Sequence, residues 1–287
     1  MTQIDEFESL FNSAAKPVFE MEKAVLQKIV VIVDEGSHDQ TRFRNDIETF
    51  LSVIDSVEDG IEVSWIEGDE YDSVSMLLEK VKEAAPDLIV TYRNLHIPAT
   101  DYPYSLGVYV DVLTQATSIP VILFPRPEQA ESLELDLSHP KKVMAVTDHL
   151  AGDARLVSYA AKFTENNGTM ILAHVEDEQT FARYIQTISR IPDIDTDLAR
   201  QVIMDQLLKE PADYIESCKQ GIKDAGIPVK VESVVTVGHH LSDYRNLIRD
   251  KSVNLLVLNT KDEDQLAMHG LAYPLSVELR DVPMLLL

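Results

Sequence analysis

Three short segments occur twice in the 287 residues, in the same order, and this repetition constrains the fold more than any other feature of the chain. Asp59-Gly60-Ile61-Glu62-Val63 resembles Ala225-Gly226-Ile227-Pro228-Val229, and Asp87-Leu88-Ile89-Val90 resembles Asn254-Leu255-Leu256-Val257. Ser118-Ile119-Pro120-Val121-Ile122-Leu123 resembles Asp281-Val282-Pro283-Met284-Leu285-Leu286. A chain that repeats itself in this way builds one unit twice. Each half also opens on an apolar run that ends in an acid: Val30-Val31-Ile32-Val33-Asp34 in the first, Val143-Met144-Ala145-Val146-Thr147-Asp148 in the second. Between that run and the glycine–isoleucine match the first half is far shorter. The loss of one strand and one helix accounts for the difference, leaving four strands in the first half and five in the second.

The short apolar runs are those of strands buried on both faces of a parallel sheet. Between them lies helical periodicity, over 39–55, 72–84 and 105–116 in the first half and over 153–166 and 241–250 in the second. A long charged segment, 177–225, reads as helical with breaks near Pro192 and at Pro211. Strands that alternate with helices require right-handed crossovers. The expected fold class is therefore α/β: two tandem open-twisted parallel β-sheet domains with helices on both faces, the first shortened by one strand–helix unit. The expected divisions are a polar leader over 1–27 with short helical patches, a first domain over 28–126, a linker over 127–140 and a second domain over 141–287. In the leader, Phe7, Leu10 and Phe11 lie at helical spacing and offer a face to pack on the body. The last strand, Met284 to Leu287, is apolar throughout, and an apolar edge recruits another strand. Val121-Ile122-Leu123-Phe124 is its expected partner, which makes the chain an intramolecular pseudo-dimer with homodimer formation as a further option.

Charge excludes one class of partner. With 49 acidic against 25 basic residues the net charge is −24, a field that repels nucleic-acid phosphate. The single cysteine, Cys218, allows no internal disulfide and points to a reducing, cytoplasmic setting. No apolar stretch approaches the ~20 residues that span a bilayer, so no membrane partner is expected.

Four strand ends carry a family resemblance. The first strand ends in an acid (Asp148, Asp34), the second reads Leu172-Ala173-His174-Val175, the fourth Asn254-Leu255-Leu256-Val257-Leu258 and the last Val282-Pro283-Met284-Leu285. In this order, given twice, they resemble the universal stress protein family in its tandem form, over about 28–124 and 141–287. The resemblance implies a Rossmann-like fold. In ATP-binding members the fourth strand is followed by Gly-x-x-Gly, nine residues, then Gly-Ser or Gly-Thr. Such glycines let backbone N–H groups approach phosphate, with a helix N-terminus behind them. Here Asn259 and Asp262 stand at the glycine positions of the second half, Gly270 is followed by Leu271, and the spacing is two residues short. In the first half Tyr92 and Leu95 replace the glycines and Gly107 is followed by Val108.

The expected function is therefore a non-enzymatic stress protein with a regulatory or protective role, a degenerate nucleotide site, no cofactor, and a protein or small molecule as partner. The alternative is a protein that binds ATP or AMP through the second half. The cofactor-binding residues implied for it are Asp148, Val175, Gly238, Asn259 and Gly270. No catalytic signature is present, neither a P-loop nor a nucleophile elbow. His239-His240 with Asp243, and His149, have the chemistry of a metal site but read more simply as a capped turn. His174 reads as a core histidine. Phe181, Tyr184, Ile185, Ile188, Val202, Leu207 and Leu208 either pack on the sheet or line a groove for an apolar ligand.

Overall fold

The computed structural model describes residues 17–34, 40–55, 60–97, 102, 104–147, 150–260 and 270–287. The first half carries β1 (Lys28–Ile32), α1 (Gln40–Asp55), β2 (Glu62–Ile66), α2 (Val74–Ala84), β3 (Leu88–Tyr92), α3 (Val108–Ala116) and β4 (Val121–Phe124). A short helix, α4 (Pro127–Ser132), leads into β5 (Lys142–Val146), α5 (Ala154–Phe163), β6 (Thr169–Asp177), α6 (Glu178–Ile188) and α7 (Thr196–Asp224). The chain ends with β7 (Lys230–Gly238), α8 (His240–Lys251), β8 (Leu255–Leu258), α9 (Ala272–Glu278) and β9 (Met284–Leu286).

All nine described strands join one sheet, in the order β2-β1-β3-β4-β9-β8-β5-β6-β7. Every pairing is parallel except β4 with β9. The expected α/β class, with four strands and then five, holds. In the second half β6 lies between β5 and β7, whereas β2 pairs directly with β1. The missing strand–helix unit is thus the one that corresponds to β6. Register makes the halves comparable: Ile29 faces Leu88 as Val143 faces Leu255, so Tyr92 corresponds to Asn259.

The two half-sheets meet through Val121↔Leu286, Ile122↔Leu285 and Leu123↔Met284, an arrangement symmetric about the central pair. All six side chains are buried. Around this seam Phe50 of α1 lies 5.1 Å from Phe124 and 6.2 Å from Phe163 of α5, centroid to centroid. Arg93, just past β3, crosses the seam. Its guanidinium donates to the carbonyl of Ser276 and, at 2.8 Å, to that of Leu279, at the end of α9. A helix carboxyl end is a favourable place for a cation. Arg93 is 2% exposed, and among the described residues no carboxylate forms an ion pair with it. Burial pushes its pKa down to about 10.

Three segments add detail to the sequence reading. Residues 17–27 carry no helix; they run extended over the second half before entering β1. Phe19 and Leu26 are buried, the Phe19 and Glu22 amides donate to the hydroxyls of Ser217 and Ser158, and Lys162 reaches the Ala24 carbonyl. Serine hydroxyls on two helices satisfy this backbone, so a local helix is not needed. Phe7, Leu10 and Phe11 lie outside the described residues. Within 127–140, α4 forms with Pro127 at its first position, where a proline's missing N–H costs nothing, and Ala130 and Leu137 are buried. Finally, α6 ends before Pro192 as expected, but α7 runs through Pro211. The ring deprives the Leu207 carbonyl of its helical donor. The buried run Tyr214, Ile215, Cys218 and Ile222 holds the next turns on the sheet regardless, since packing outweighs local propensity.

Two measurements check this packing. Arg93→Met leaves two buried carbonyls without their donor and is expected to lower unfolding stability by about 1–3 kcal/mol, read from the urea midpoint; an unchanged midpoint contradicts the bridging role. Burial pushes the Cys218 thiol up to about 12, so it should react with an aromatic disulfide reagent at mildly alkaline pH only after unfolding. Rapid labelling of the native protein would mean that α7 is not seated as described.

Candidate ligand-binding cleft

Ligands of open parallel sheets bind beyond the carboxyl ends of the strands, where strand order reverses. In the first half that point lies between β1 and β3, and it is filled from within. Asp34 is 2% exposed. Its carboxylate accepts from the Tyr92 hydroxyl and, at 2.8 Å, from the His96 N–H, and it pairs with Arg126 at 3.5 Å. Burial first, and the adjoining carboxylate second, hold the Tyr92 phenol well above the usual tyrosine range, so it remains a proton donor. Arg126 also donates to the carbonyls of Asn94 and Ile97, which ties down the loop after β3. That loop packs onto Gly107, which has φ +88°: a Cβ there would lie 2.8 Å from the Asn94 Cα. Gly107 is kept for contact between two backbone segments, and the space above it belongs to Asn94. Asp34, the acid at the end of the first strand, is thus held in an internal ion pair.

The second half opens at the same level into a cleft of about 820 Å³. Its walls come from six places. Leu150 and Ala151 follow β5, His174 to Asp177 close β6, and Thr180 and Tyr184 lie on α6. Leu207, Glu210 and Pro211 lie on α7, and His240, Gly270 and Leu271 complete it. The lining holds three carboxylates, Glu176, Asp177 and Glu210, and among the described residues no lysine or arginine. Asp177 caps α6 by accepting the Thr180 N–H, and hydrogen bonds from Thr180 hold its carboxyl below the usual range.

The residues expected to hold a nucleotide fare unevenly. Val175 and Gly270 both line the cleft, but the Val175 N–H is already given to the Tyr244 hydroxyl at 2.9 Å. Asn259 points its amide at Asp153, the cap of α5, and does not line the cleft. Burial raises the Asp153 carboxyl. Gly238 faces Asp243, whose carboxylate would lie 1.8 Å from a Cβ at that position and which accepts the His239 N–H at 2.8 Å. This glycine makes room for the turn into α8. Asp148, His149 and Asp262 lie outside the described residues. His239 and Asp243 form the helix start, and among the described residues no group of three metal-ligating side chains is placed to hold an ion.

His174 is 6% exposed and contacts Glu176 at 3.4 Å. Phe181 and Ile185 are buried, Ile188 and Leu208 are half-buried and Val202 is exposed, while Tyr184 and Leu207 line the cleft. The segment is thus divided, with Phe181 and Ile185 packed inward and Tyr184 and Leu207 on the cleft wall. Glu176, Asp177, Glu210, Asp153 and Tyr244 escaped the sequence reading. The position of Glu176-Asp177 at a strand end was a usable signal; Glu210, inside a long charged helix, had none.

The fold is that of a protein described as a candidate universal stress protein from Pseudomonas aeruginosa UCBPP-PA14, matched over 92% of this chain and 94% of that one with a TM-score of 0.51 and 10% identity. A functionally unknown protein of Pseudomonas aeruginosa PAO1 aligns over 92% and 93% of the two chains, with a TM-score of 0.49 and 13% identity. A universal stress protein from Archaeoglobus fulgidus DSM 4304 aligns over 91% and 85%, with a TM-score of 0.43 and 13% identity. No family model and no curated protein matches the sequence. The chain therefore has the universal stress protein fold, in a form that places both halves in one polypeptide.

Removal of the internal ion pair tests the account of the first half. Arg126→Gln leaves Asp34 buried without its cation and should cost about 2–4 kcal/mol in denaturant unfolding. It should also speed hydrogen exchange at the Asn94 and Ile97 amides. Wild-type stability in this variant would show that the pair does not close the site.

Proposed function

We propose that this protein is a non-enzymatic universal stress protein with a regulatory or protective role, located in the cytoplasm, whose nucleotide site is degenerate. One observation carries the reading: the strand-end cleft of the second half is lined by Glu176, Asp177 and Glu210, with two histidines but no lysine or arginine among its described residues. A triphosphate needs the reverse. Two like unit charges about 4 Å apart repel by about 1 kcal/mol in water and by about 4 kcal/mol near a protein surface. The closed first half supports the same reading, as do Asn259 and Asp262 at the family's glycine positions. A partner protein or a small molecule takes the place of the nucleotide. The net charge of −24 argues against nucleic acid, and among the described residues no helix is long and apolar enough to cross a membrane. The β4–β9 pairing already joins two like half-sheets within one chain, so homodimer formation is an option and not a requirement of the fold.

The second reading, an ATP- or AMP-binding protein, draws its support from Val175 and Gly270, which line a cleft of suitable volume. The two separate on purified material. The expected outcome is no adenine nucleotide released on denaturation, no calorimetric heat with magnesium ATP up to about 1 mM, and no phosphate release above background. Saturable binding of ATP would overturn the first reading in favour of the second.

A further inference from the structure

We propose that the cleft beyond β6 binds an organic cation, an amine whose apolar body lies along the α6–α7 wall. The inference rests on the degenerate nucleotide site and names what the same cleft accepts. Three observations combine. At about 820 Å³ the cleft falls in the range of small-molecule sites, which are mostly apolar with a few placed polar groups. Its apolar lining is continuous in kind: Leu150, Val175, Leu207, Pro211 and Leu271, with the ring of Tyr184. Its permanent charges among the described residues are carboxylates, Glu176 and Asp177 at the end of β6 and Glu210 on α7, with His174 and His240 beside them and no lysine or arginine.

The three carboxylates are engaged to different degrees. Asp177 is committed to capping α6. Glu176 contacts His174 at 3.4 Å. Glu210 is exposed on α7, one residue before Pro211, and among the described residues it forms no ion pair. An ammonium group gains a charge-assisted hydrogen bond from a carboxylate such as Glu176 or Glu210, and a hydrocarbon body gains the apolar wall. Tyr184, more than half exposed, adds an aromatic face to which a cation is attracted. A carboxylate or phosphate ligand would meet repulsion at the same place, so the cleft discriminates by charge as much as by shape.

The test is calorimetric titration of the full chain with phenethylammonium at neutral pH, beside 3-phenylpropanoate, which has a similar body and the opposite charge, and magnesium ATP. Saturable binding of the amine alone is expected. Glu176→Gln and Glu210→Gln should each weaken it by about five-fold or more, whereas Glu131→Gln, away from the cleft, should leave it unchanged. Thermal unfolding of each variant guards against misfolding, and the exposed Glu210→Gln decides if Glu176→Gln is unstable. Absence of amine binding up to about 5 mM overturns the proposal. So does equal binding of phenylpropanoate, or amine binding that neither cleft variant weakens. If the amine and ATP both fail to bind, only the cation inference falls; if ATP binds, the reading of a degenerate nucleotide site falls with it.

Discussion

The antiparallel pairing of β4 with β9 is the contact on which the rest of the structure depends. A five-stranded unit of this kind leaves its last strand as an open apolar edge, and such an edge is satisfied only by another strand. Here the other strand belongs to the same chain. Three residue pairs, symmetric about Ile122 and Leu285, convert two half-sheets into one sheet of nine described strands. The seam sets the position of everything that crosses it. Phe50 reaches Phe163, Arg93 reaches the end of α9, and residues 17–27 lie along the second half before the chain enters the first.

Two equivalent strand-end sites result, and the chain has treated them differently. In the first, the acid of β1 is neutralised by Arg126, the fourth-strand position carries Tyr92, and the following loop is drawn down onto Gly107. The site has become part of the core. In the second, the corresponding position is Asn259, which turns away to Asp153. The retained β6 brings with it α6 and α7, and these supply the carboxylates and apolar side chains of the cleft. The unit missing from the first half is therefore the one that builds the cleft in the second.

Much of the fold was legible because burial on both faces of a parallel sheet leaves an unmistakable pattern. Ile29 to Val33 and Leu255 to Leu258 are apolar at every position, and the repeat between halves exposed the missing unit without reference to coordinates. The site was less legible. Its defining contacts join residues far apart in sequence: Asp34 with Tyr92, 58 positions on, and Asn259 with Asp153, 106 positions back. Neither partner carries a mark that identifies the other. Proline at 211 pointed to a break that packing cancelled, and the glycines at 107 and 238 make close internal contacts that no local pattern announces.

Strand count, parallel class, the repeat and the negative field follow from the sequence alone, because hydrophobic periodicity and charge are local quantities that add along a chain. Which strand-end site closed, which opened, and what sign of charge the open one presents were decided only by the tertiary structure. Those properties depend on where Arg126, Tyr92, Glu176 and Glu210 come to rest relative to one another. That arrangement exists only once the β4–β9 seam and the crossover helices have placed them.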